Sequence, residues 1–147
     1  MKRQIISLVI LWLFTATGCS SLGGSSALIE SLSSDPLVSG LTSSLGLDTK
    51  QAAGGLGSLL SLAENKLPGA DYESLSRLLP GSSKYLEVAQ DAGILSEPIT
   101  DVRGLNSAMG ELDITPSQAS QLVGQVSDFV GKAGGESAKN LLQGLVN

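Results

Sequence analysis

Helix-breaking residues cut this chain into short amphipathic lengths. Five prolines and 18 glycines fall among its 147 residues, and between them leucine recurs at helical spacing. Asp35-Pro36 reads as an N-cap followed by proline at the first helical position. Leu37, Val38, Leu41 and Leu45 then mark one face before Gly46 ends the helix. Asp48 with Gln51 three residues on is a capping-box variant. Ala52, Leu56, Leu59, Leu60 and Ala63 follow at i, i+4, i+7, i+8 and i+11, and Leu67-Pro68-Gly69 breaks that helix. Asp71 is expected to cap a third, carrying Leu75, Leu78 and Leu79, which Pro80-Gly81 stops. No long stretch alternates with period two, and β-branched residues are few. The expected fold is all-α, a small bundle of six to eight short helices. Such helices are marginal alone in water, so packing must hold them.

The same pattern returns 67 residues later. Leu45/Leu112, Gln51/Gln118, Ala52/Ala119, Gly57/Gly124, Leu75/Leu142 and Leu78/Leu145 are identical at that offset. Thr115-Pro116-Ser117-Gln118 repeats the cap of Asp48 and Gln51. Residues 36–80 and 103–147 are therefore expected to be two copies of one three-helix unit within a single domain, 36–147. The connector, 81–102, is expected to hold a short helix near Lys84 to Gln90.

Composition narrows the chemistry. Hydrophobic residues make up 41% of the chain and aromatics only 3%, so the core must be aliphatic. With no histidine there is no imidazole base, no Ser-His-Asp or Cys-His arrangement and no histidine-ligated zinc. One cysteine makes neither an internal disulfide nor a thiolate cluster. A net charge of −5 argues against nucleic acid. No cofactor or metal is expected.

The N-terminus carries an address. Met1-Lys2-Arg3-Gln4 is cationic, and Ile5 to Phe14 is apolar except for Ser7. A segment of ten residues spans about 15 Å as a helix, roughly half a bilayer core, which is the length of a signal-peptide core. The following Thr17-Gly18-Cys19 resembles the end of a bacterial lipoprotein signal, with Ala16 where leucine is preferred. That resemblance implies cleavage after residue 18 and lipidation of Cys19. With Ser20 rather than Asp after the cysteine, it also implies sorting to the outer membrane, facing the periplasm. Two or three acyl chains, at about 0.8 kcal/mol per buried methylene, hold a protein there essentially permanently. The mature chain would have 129 residues and a net charge of −7, starting with a Gly/Ser tether, residues 20–26, and a lead-in helix before residue 36.

A second resemblance rests on Leu45-Gly46-Leu47-Asp48, then Gln51-Ala52, then Gly54-Gly55-Leu56-Gly57 and a leucine-rich helix, with a later Leu79-Pro80-Gly81. This pattern resembles the bacterial family of unknown function named after VcgC and VcgE. The resemblance implies a small exported or lipid-anchored α-helical domain and no particular activity. The second copy has Gln121 and Leu122 at the places of the glycine pair.

Gly54, Gly55 and Gly57 each cost a helix about 1 kcal/mol relative to alanine, so something must offset them. Close approach of a neighbouring backbone is the expected reason, with a bare face that docks a partner as the alternative. Tyr72 and Tyr85 flank Pro80-Gly81; partial burial at a core edge is expected of them, with a groove shared with Leu78 and Leu79 as the alternative. The near pairs Asp71/Glu73, Glu97/Asp101 and Glu111/Asp113 read as caps or solvated surface rather than catalytic carboxylates. Lys50 and Lys84 lie outside any Ser-x-x-Lys arrangement. No catalytic residue is expected. The expected function is a lipid-anchored, non-catalytic interaction module that binds another envelope protein. A small carrier of an apolar ligand is the alternative, and a hydrolase a more distant one.

Overall fold

The computed structural model describes residues 25–147. The signal-like segment, Cys19 and the first part of the tether lie outside the described residues. Those described form seven α-helices and one 3₁₀ turn, with no strand among them. In chain order they are α1 (Ser25–Ser33), α2 (Pro36–Leu45), α3 (Thr49–Lys66), α4 (Gly69–Leu78) and α5 (Ser82–Asp91). After the 3₁₀ turn (Ile94–Ser96) come α6 (Val102–Glu111) and α7 (Pro116–Val146). The all-α expectation holds. The end of the expected tether is already helical, because α1 starts at Ser25.

Four of the seven α-helices, α2, α3, α6 and α7, have their N-termini capped by a side chain. Asp35 Oδ1 accepts from the backbone N–H of Leu37 at 2.9 Å and of Val38 at 3.4 Å, with Pro36 opening α2. Gly46 stops that helix at φ +66°, its N–H donating to the Thr42 carbonyl. Asp48 with Gln51, and Thr115 with Gln118, form complete capping boxes. Asp71 does not cap α4. Pro68 holds the cap position and the helix resumes at Gly69, so Asp71 falls inside the first turn, where its charge complements the helix dipole.

Helix bounds and special backbone positions correspond at the 67-residue offset. Displacing α2 by 67 lands on α6, and α3 lands on the start of α7. Both α2 and α6 are followed by a left-handed residue, Gly46 at φ +66° and Asp113 at φ +58°. The Pro68 break maps onto Gly135, whose φ of +78° and ψ of −175° belong to a region that is essentially glycine's alone. Gly135 divides the long α7 run where the first copy separates α3 from α4.

Each glutamine of the two boxes also does a second job. The Gln51 side-chain amide donates to the Leu112 carbonyl at the end of α6, at 2.9 Å. The Gln118 amide donates to the Leu45 carbonyl at the end of α2, at 3.0 Å. These two bonds are each other's image at the offset, the reciprocal pattern of a two-fold interface. Each glutamine oxygen meanwhile serves its own cap, at 2.9 and 3.0 Å. The start of each long helix is thus tied to the end of the other copy's first helix.

Helices α2 and α6 each pack on both α3 and α7, and α3 packs on α7. The first copy carries an additional layer, because α5 lies along α3 and α1 packs on α5. As a result every residue from 52 to 63 is buried, rather than only the expected stripe on α3. A helix surrounded on all sides must be apolar or small on all sides. The buried Ser58 hydroxyl meets this condition by donating to the Gly54 carbonyl at 2.9 Å.

Candidate functional site

The three glycines of α3 lie inside the fold, each against a different neighbour. A Cβ added at Gly54 would meet the Leu112 methyls at 3.0 Å, and one at Gly55 would meet Leu122 Cδ1 at 2.9 Å and Ile114 Cδ1 at 3.3 Å. These are flexible side-chain ends. Gly57 is different in kind. A Cβ there would overlap the Tyr85 carbonyl oxygen and approach Ala89 Cβ to 2.7 Å and the Tyr85 carbonyl carbon to 2.8 Å. The glycines therefore do not present a docking face, since α5, α6 and α7 already occupy it.

Tyr85 is fully buried and lines no open groove. Its hydroxyl donates to the Pro80 carbonyl at 2.9 Å, with the Asp35 carboxylate facing the same oxygen. Burial, then the Asp35 charge and hydrogen bond, push its phenol above the ordinary 10.0. Tyr72 sits half-buried on α4, its phenol also raised by burial and by the Glu64 charge. Of the residues of the alternative groove, Leu79 is buried and Leu78 reaches to Gly134 of α7.

An open surface lies at the other copy instead. A groove of about 260 Å³ runs between α6 and α7, lined by half-buried Val102, Val123 and Val146 over a buried floor that includes Leu105 and Met109, and by the exposed polar Asn106 and Ser120. Beside it Gly124 is exposed, and a Cβ added there would meet nothing within 4 Å. Gly124 is the 67-residue counterpart of Gly57. The same position is thus covered by a helix in one copy and bare in the other. The sequence shows the Gly57/Gly124 identity, and only slightly more polar neighbours, Ser120 for Ala53 and Gln121 for Gly54, set the bare glycine apart from the covered one.

A family model described as protein of unknown function VcgC/VcgE matches residues 16–146. This chain belongs to the VcgC/VcgE family. No curated protein and no solved structure matches it. In this VcgC/VcgE protein Gly57 is the seat of α5, while Gly54 and Gly55 close against Leu112, Ile114 and Leu122.

The remaining polar candidates do not converge. Asp101 caps α6 by accepting from the Gly104 N–H at 2.7 Å, and Glu73 pairs with Arg77 on the exposed face of α4. Glu97, Glu111, Asp113, Lys50 and Lys84 are exposed. Among the described residues no group of three or more His, Cys, Asp or Glu side chains is placed to hold a metal, and no helix is long and apolar enough to cross a membrane.

Two outcomes are expected of purified protein. Gly57→Ala lowers unfolding stability in urea by about 1–3 kcal/mol, because two helix backbones must separate. Gly124→Ala raises it by up to about 1 kcal/mol, because the new methyl enters open space and favours the helix. Equal effects from the two would contradict the assignment. Tyr85, with its raised folded-state pKa, contributes stability that is present in full below the unfolded value near 10 and is lost as pH rises beyond it. Urea unfolding at pH 9 and pH 11 should therefore show a larger loss in the wild type than in Tyr85→Phe, approaching about 1.4 kcal/mol per pH unit.

Proposed function

We propose that this VcgC/VcgE protein is an accessory module of the bacterial envelope, held by lipid on Cys19 to the periplasmic face of the outer membrane. There it binds another envelope protein without catalysing a reaction. The observation that carries the reading is the uncovered, partly apolar groove between α6 and α7, with the bare Gly124 at its side. Apolar surface left beside a closed core favours association. The sequence adds the Thr17-Gly18-Cys19 ending after a short apolar segment. The scattered, solvated carboxylates and the lack of histidine favour binding over hydrolysis. The groove, at about 260 Å³ and open to solvent, is smaller than the roughly 300–1,000 Å³ of ordinary small-molecule sites, which favours a protein partner over a carried ligand.

A lipid anchor also aids such binding by confining both partners to one surface, which raises their effective concentration. In the native host, a photo-crosslinking residue at position 120 should give one dominant protein adduct in the intact envelope. Cys19→Ser should shift the protein from membrane to soluble fractions and lower that adduct at least tenfold. An unmodified Cys19 in protein from that host, or no adduct from position 120, contradicts the proposal.

A further inference from the structure

We propose that the α6–α7 groove receives a short amphipathic helix from a partner protein, laid over Gly124 as α5 is laid over Gly57. The docking face is uncharged, with Phe or Leu at its leading position and Ala or Gly one turn later. This inference rests on the binding reading above and gives that partner its chemistry.

The first copy supplies the template. On α5, Tyr85 and Ala89 are one turn apart and both press on Gly57. The Tyr85 side chain runs from there to Pro80 and the Asp35 carboxylate at the start of α2. In the second copy the corresponding path runs from Gly124 to Val102, along the groove that Val102, Leu105, Met109 and Val123 line. Exposure follows the presence of the cover. Ala53, Leu56 and Leu79 are buried under the first copy's extra layer, whereas their counterparts are exposed Ser120 and half-buried Val123 and Val146. The floor is kept in both copies, where Val38 and Leu105, and Ala52 and Ala119, are all buried.

One difference sets the specificity. Where the first copy has Asp35 to face the Tyr85 hydroxyl, the second has Val102. A phenol in the groove would lose that partner, so phenylalanine or leucine fits better than tyrosine. A second copy of this chain is a poor source of the helix. Its own Tyr85, Val88 and Ala89 are already buried, and releasing α5 would open the core.

The test uses a hydrocarbon-stapled peptide with the α5 sequence, residues 81–92, made with either Tyr or Phe at position 85. Each is titrated into the purified isotope-labelled protein. Saturable amide shifts are expected at Val102, Met109, Val123, Gly124 and Val146, with the Phe peptide binding roughly tenfold more tightly than the Tyr peptide. Gly124→Leu should abolish the shifts without lowering the thermal midpoint. Should that variant prove less stable, Ser120→Arg, at an exposed position lining the groove, gives the same readout. No saturable shift at 1 mM peptide, shifts elsewhere, or shifts that survive both substitutions overturn the inference. If the peptides fail while the position-120 adduct persists in the envelope, the helical mode falls and the binding reading stands. A concentration-dependent doubling of mass that Gly124→Leu removes would make the occupant a second copy, and also overturns the inference.

Discussion

The contact between the α5 backbone and Gly57 is the constraint around which this molecule is arranged. Two helices come this close only where one of them has no Cβ, and Gly57 provides that place against the Tyr85 carbonyl. The helix-propensity cost of a glycine, about 1 kcal/mol, is offset by what the approach buries. It seals Tyr85, Val88 and Ala89 against α3 and encloses a twelve-residue stretch of that helix. At about 0.8 kcal/mol per buried methylene, a few apolar side chains outweigh the glycine.

The second organising element is the pair of glutamine bonds that cross between copies. A capping box satisfies the first N–H groups of a helix from within a few residues, and is therefore legible in sequence. Asp35-Pro36, Asp48 with Gln51 and Thr115 with Gln118 could all be placed that way. The other half of each glutamine is not legible, because Leu112 and Leu45 are reached through the tertiary fold. The same limit explains the errors. The stripe on α3 showed one apolar face, while the opposite face is made of glycine, alanine and serine and reads as weakly polar until α5 lies on it. Asp71 resembled a cap because Pro68 and Gly69 resembled only a break, although the helix resumes at Gly69. The glycines stood out as an anomaly, but what met them was a long-range fact.

From these two elements follows an asymmetric molecule on a nearly symmetric scaffold. Both copies keep the same floor, a capping box at the same place and the same glycine on the long helix. Only the first copy has its glycine covered, by the helix that follows in the connector. Residues at the uncovered positions are slightly more polar, with Ser120 for Ala53 and Gln121 for Gly54, yet Val123 and Val146 remain apolar. That combination is compatible with the binding role proposed for this surface. Membership of the VcgC/VcgE family covers nearly the whole chain, 16–146, so both the covered and the bare glycine belong to the matched region.

The difference between covered and bare copies is measured most directly by thiol labelling at a matched pair of positions. In a Cys19→Ser background, Ala53→Cys and Ser120→Cys place one thiol at the same point of each copy. A maleimide reagent under native conditions should modify position 120 quickly and completely while leaving position 53 unmodified until the protein is unfolded. Equal rates at the two positions would contradict the account, since they would mean that α5 does not seal the first copy or that the second is not open.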